Sequence, residues 1–154
     1  MPPSAPQAPR LIYLLNSAQR RLQQLIAQEQ DRVASQGAVA PSPAQGGALF
    51  VLHGRDGATM GELAQALDLA PSAVSGLVQR LEALGWVQRQ PCPQDARTQR
   101  VWLLPAGRAQ LPGLRRATAR INAQLAAGFS AAELATVARW LQHVQHTVQD
   151  PETA

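Results

Sequence analysis

The chain contains no lysine: all 14 of its basic residues are arginine. Genomic base composition can produce that bias, so the missing lysines alone say nothing about a partner. Cysteine is almost as scarce, and the single Cys92 excludes an intramolecular disulfide framework. Aromatic residues make up only 4% of the chain, so no aromatic-lined ligand pocket can be read from the sequence. Long apolar runs are missing too. Nothing approaches the roughly eighteen apolar residues of a membrane span, and Met1 to Pro9 lacks the apolar core of a signal peptide. A cytoplasmic protein with no membrane partner is expected. Catalytic punctuation is also lacking. There is no phosphate-cradling glycine loop, no Ser-x-x-Lys or Gly-x-Ser-x-Gly context, and no close carboxylate pair beside a histidine. The ten acidic residues are scattered, so neither an enzyme nor a cofactor is expected.

What is present fits one small core. At 154 residues and 45% hydrophobic, the chain needs no second globular domain. Its formal net charge of +4 and pI near 10.9 suit a polyanionic partner without requiring one.

The informative stretch runs from Met60 to Pro105. Met60, Leu63, Ala64 and Leu67 recur at helical spacing, as do Val74, Leu77, Val78, Leu81 and Leu84. Two amphipathic helices on one core follow. The connection Asp68-Leu69-Ala70-Pro71 is short, and Pro71 suits a first helical turn, where its missing N–H has no partner anyway. This is helix-turn-helix punctuation. The outward face of the second helix carries Ser72, Ala73, Ser75, Gly76, Gln79 and Arg80, with no bulky aliphatic among them. Small side chains admit close approach to phosphates, and Ser and Gln can donate and accept at base edges. Gly76 either serves such an approach or is a neutral surface glycine.

After Gly85, Trp86 to Gln90 and Arg100 to Leu104 read as paired strands. Between them Pro91 to Gln99 looks too long for a two-residue turn and is expected to project as a wing. Arg97 on that projection could enter a narrow minor groove, where negative potential is enhanced. Asp95 repels phosphate, so its expected task is to orient an arginine through a charge-assisted hydrogen bond. Ser72, Ala73, Ser75, Gly76, Gln79, Arg80, Asp95, Arg97 and Arg100 form the expected DNA-binding set.

In order and pattern these segments resemble the multiple-antibiotic-resistance regulator (MarR) family of bacterial winged-helix transcription factors. The resemblance rests on Gly61-Glu62-Leu63-Ala64, on Pro71 to Val78, and on Arg80-Leu81-Glu82-Ala83-Leu84-Gly85-Trp86-Val87. In the wing, the family's aspartate and arginine fall on Asp95 and Arg97, with its later valine, leucine and glycine on Val101, Leu103 and Gly107. The resemblance implies a repressor that binds a palindromic operator in double-stranded DNA as a homodimer. Each recognition helix would enter a major groove and each wing a minor groove, with release by a small-molecule effector. Three positions depart from the pattern. Ala70 stands where a hydroxyl usually caps the recognition helix, Ala96 and Thr98 leave Arg97 without its usual arginine neighbour, and Leu104 replaces a threonine.

The implied fold class is mainly α with a small β-hairpin wing. Residues 1–9, with four prolines, are expected to be a disordered lead-in. Residues 10–40 hold an N-terminal dimerisation helix and linker, striped by Leu11, Leu15, Ala18, Leu22, Leu25 and Ile26. Residues 41–104 are the winged helix-turn-helix domain, in which Ser42-Pro43-Ala44-Gln45 and Thr59-Met60-Gly61-Glu62 read as capping boxes separated by a turn over 54–58. Residues 105–150 hold C-terminal dimerisation helices. The first carries Leu111, Leu114, Ile121 and Leu125; the second follows a Ser130 to Glu133 cap with Leu134, Val137, Ala138, Leu141, Val144 and Val148. Residues 151–154 are a tail. Striped helices at both ends exceed what a small winged domain covers, so either a second copy covers them or they fold back as ordinary core.

Three residues invite sharper readings. Cys92 lies among Arg89, Arg97 and Arg100, which would lower a thiol pKa and allow redox control; an incidental exposed thiol is the alternative. His143 and His146 share a helix face, but no third ligand accompanies them and no metal site is expected. Trp86 and Trp102 are expected to anchor the hairpin. A winged helix that binds a protein partner in place of DNA is the remaining alternative.

Overall fold

The computed structural model describes the backbone of residues 10–149 and the side chains of residues 10–146. The expected lead-in 1–9, the tail 151–154 and the Val148 side chain lie outside the described residues.

Helix α1 (Leu11–Ala34) is followed by α2 (Pro43–Gly54), strand β1 (Ala58–Thr59), α3 (Met60–Leu67) and α4 (Pro71–Ala83). Strands β2 (Val87–Cys92) and β3 (Asp95–Leu103) then lead to α5 (Pro105–Arg108), α6 (Leu111–Ala126) and α7 (Ala131–Gln149). The fold class is as expected: mostly helical, with a three-stranded antiparallel sheet in the order β1-β3-β2. The described chain divides into two compact units at Ala117/Thr118, inside α6.

Local chemistry explains where the helices of the first unit begin. Ser42 Oγ accepts from Gln45 N at 3.3 Å while Gln45 Oε1 accepts from Ser42 N at 2.8 Å, and Pro43 opens the first turn of α2. Thr59 and Glu62 repeat this reciprocal pair for α3. Helix α4 begins at Pro71 with no side-chain cap, because the Ala70 side chain has no oxygen. Leu104, in place of a threonine, leaves α5 uncapped as well.

Leu49 and Leu52 of α2, Leu63 of α3, and Val74, Leu77, Val78 and Leu81 of α4 meet Trp86, Val87, Val101 and Leu103 in one buried cluster. Leu84, expected on that face, is 42% exposed because it lies at the C-cap, where the helix has ended. Gly107 packs so tightly that a Cβ there would stand 2.3 Å from the Trp86 carbonyl oxygen. That contact seats α5 on the start of the hairpin.

The hairpin differs from expectation. Its strands extend to Cys92 and Asp95, which pair directly, so only Pro93 and Gln94 turn the chain. Two features allow the longer ladder: a register shift between Pro91 and Cys92 takes up the mismatch, and β2 is an outer strand, where Pro91 needs no ladder N–H. The region 54–58, expected as a plain turn, ends in β1, whose Ala58 and Thr59 pair with Val101 and Arg100. Two residues carry no alternation to read.

Helix α1 has no buried residue, and Leu11, Ile12, Tyr13 and Leu14 of its first turn are 43%, 80%, 65% and 52% exposed. Fold-back as ordinary core is not what α1 does. In the second unit, Ser130 and Glu133 form the expected cap of α7, and Phe129, Val137 and Leu141 are exposed. Among the described residues no helix is long and apolar enough to cross a membrane.

Candidate nucleic-acid interface

Helix α4 presents Ser72, Ala73, Ser75, Gln79 and Arg80 on one exposed face, with Gly76 half-buried between them. Burial of Val74, Leu77, Val78 and Leu81 on the opposite face fixes this orientation. The site of a Cβ on Gly76 lies 3.4 Å from Arg80 Nη1, so the guanidinium lies back along the helix over the glycine. Neither Arg80 nor Arg97 has a carboxylate partner among the described residues, whereas Arg32, Arg55, Arg89 and Arg108 each pair with one. An unpaired guanidinium is available to an outside anion.

The wing is set against α4 by a clamp that sequence reading missed. Glu82, on the last turn of α4, accepts from the Arg89 backbone N–H at 2.8 Å and pairs with its guanidinium at 2.7 Å. Burial alone would raise the Glu82 carboxyl, but these hydrogen bonds from Arg89 outweigh it and hold it below the usual carboxylate range. The available signal was an acid and a base flanking the Gly85 turn.

Asp95 orients Arg97 differently from expectation. Its Oδ1 accepts from the Arg97 backbone N–H at 3.0 Å and its Oδ2 from the Thr98 hydroxyl at 2.8 Å. The carboxylate therefore ties down the backbone and leaves the guanidinium extended into solvent. Arg100 turns inward. Its Nη1 donates to the Gly57 carbonyl at 2.8 Å and its Nε to Cys92 Sγ at 3.3 Å, so this half-buried side chain braces the wing from within.

Cys92 is buried, 6% exposed, contrary to the alternative of an exposed thiol. Its register partner Asp95 closes the turn above it, and its thiol donates to Gln94 Oε1 at 3.0 Å. The Arg100 hydrogen bond, aided by the Gln94 backbone, holds the thiol below its ordinary value. Trp86 is buried in the core, while Trp102 lies across Gly57, where a Cβ would stand 2.7 Å from its ring. His53 contacts Arg115 at 2.8 Å. No group of three metal-ligating side chains occurs among the described residues.

Residues 41–98, from the cap of α2 through the wing, match the model of the MarR family. This segment is a MarR-family winged helix. A solved structure described as a probable transcriptional regulator from Pseudomonas aeruginosa is 28% identical. It aligns over 88% of this chain and 96% of its own, with a TM-score of 0.76. BpsR of Bordetella bronchiseptica, described in terms of regulation of its DNA binding by 6-hydroxynicotinic acid, is 20% identical, with coverages of 92% and 96% and a TM-score of 0.79. PcaV of Streptomyces coelicolor, in complex with its natural ligand, is 22% identical, with coverages of 93% and 99% and a TM-score of 0.76. No curated protein matches the chain. The family match covers residues 41–98, which hold α2, the helix-turn-helix and most of the wing.

Proposed function

We propose that the protein is a transcriptional repressor that binds a palindromic operator as a homodimer and is released by a small-molecule effector. The observation that carries this reading is the exposed α4 face: it has no bulky aliphatic, and its Arg80, like Arg97 of the wing, has no acidic partner among the described residues. Gln79 and Ser75 are assigned to base edges, Ser72 and Arg80 to phosphates, and Arg97 to the flanking minor groove. Ala73 and Gly76 permit close approach. Asp95 acts by holding the Arg97 backbone, and Arg100, committed inward, is left out of the contact set.

Dimerisation is supported by the uncovered apolar start of α1 and by the exposed Val137 and Leu141 of α7. An effector is supported by two structural relatives of the same fold described with small molecules. Only an effector with different affinities for the DNA-bound and free shapes can release the operator.

Selection of random duplexes by the purified protein, followed by titration of the recovered sites at several salt concentrations, tests the reading. A palindrome with half-sites about 34 Å apart and a steep salt slope is expected. Recovery of no motif, with weak and uniform binding, would turn the assignment toward a protein partner. Redox control through Cys92 is favoured by its lowered thiol pKa and opposed by its burial. A peroxide response of DNA binding that disappears in Cys92→Ser would establish it.

A further inference from the structure

The two residues of β1 leave part of β3 without a strand beside it. The register pairs Ala58 with Val101 and Thr59 with Arg100, and the same register continued backward places Asp56 opposite Leu103. At that position the backbone has left the ladder, and the side chain takes over: Asp56 Oδ1 accepts from the Leu103 N–H at 2.8 Å. The other oxygen, Oδ2, accepts from the Arg108 guanidinium at the end of α5. One carboxylate thus holds the base of the wing strand and the helix that leads into α6.

These partners lie 47 and 52 residues away in sequence. Helix α5 has no side-chain cap at Leu104, and the adjoining turn holds the same strand at two further points. Gly57 N donates to Val101 O at 3.0 Å, and Arg100 Nη1 donates to Gly57 O at 2.8 Å.

We propose that Asp56 is the positioning residue of the wing: it continues the β3 ladder where β1 ends and ties that ladder to α5 through Arg108. The strand that carries Arg97 then follows α5 instead of moving independently of it. This inference rests on the DNA-binding reading for its consequence, while the clamp itself can be measured without DNA.

The test compares wild type with Asp56→Ala, Asp56→Asn and Arg108→Gln. Amide hydrogen exchange on the free protein should show Leu103 exchanging roughly tenfold faster in Asp56→Ala. In Asp56→Asn the amide oxygen still accepts, so Leu103 should stay protected while the amides of Arg108, the last residue of α5, and of its C-cap Ala109 exchange faster; Arg108→Gln should match it. Titrations against a selected duplex then read the coupling. The penalty of Arg97→Ala should shrink in the Asp56→Ala background, and the penalty of Gln79→Ala, on α4, should not. Unchanged Leu103 exchange in Asp56→Ala overturns the proposal, as does equal shrinkage of both penalties, which marks general loosening. If wild type binds no duplex, the DNA reading falls and the exchange pattern alone decides the clamp.

Discussion

Gly76 and Arg80 are the residues whose chemistry can be separated most cleanly from stability. Ala at position 76 improves helix propensity by about 0.5–1 kcal/mol, and its Cβ would meet only the movable end of Arg80. Gly76→Ala should therefore raise Tm while lowering operator affinity. If both rise, Gly76 is a neutral surface glycine. Arg97→Ala removes an exposed guanidinium with no ion pair among the described residues, so Tm should hold while binding weakens by about 1–3 kcal/mol, most in the minor-groove flank. The opposite holds for Arg100. Its loss should return the Cys92 thiol toward the ordinary cysteine range in a thiolate-absorbance titration, because its hydrogen bond is the largest cause of the lowered value.

At the scale of elements, caps and clamps make different predictions. The Glu62 carboxyl is held below the usual range chiefly by the Thr59 N–H, with Arg55 assisting. A depressed folded pKa means that its stabilisation is complete above the unfolded value of about 4.3 and is lost as pH falls through the folded value. In Glu62→Gln the capping hydrogen bond survives without the charge. Its Tm deficit relative to wild type should therefore be present near neutrality and close toward acid. Glu82→Ala releases the Arg89 backbone and guanidinium together and should cost about 1 kcal/mol of stability after allowance for solvent screening.

The caps of α2 and α3, the two core stripes and the exposed α4 face were legible because each lies within one turn or one helical period of its cause. The wing is legible as an element but not in its detail, because the register shift at Pro91/Cys92 that extends the ladder through Pro91 to Gln99 leaves no local pattern in the sequence. Glu82–Arg89 left a faint local trace. Asp56 left none, since both its partners are brought to it by the tertiary fold, and charge in a wing does not reveal which way the Arg100 guanidinium turns.

For the molecule as a whole, the first turn of α1 is the decisive surface. Ile12 is 80% exposed, so Ile12→Glu should leave the winged helix folded, with an unchanged pattern of amide protection. Sedimentation should nevertheless show dissociation to single chains, with operator affinity falling as the second half-site is lost. A dimer that survives this change uses another surface.

The chain carries an open three-stranded sheet as well as apolar helices, and under the proposed dimerisation the two modes of association have to be kept apart. One margin of that sheet is two residues long, and the other is interrupted by Pro91 and shifted in register. The proline and the register shift blunt pairing along the β2 margin, so concentrated solutions should resist fibril growth from that side.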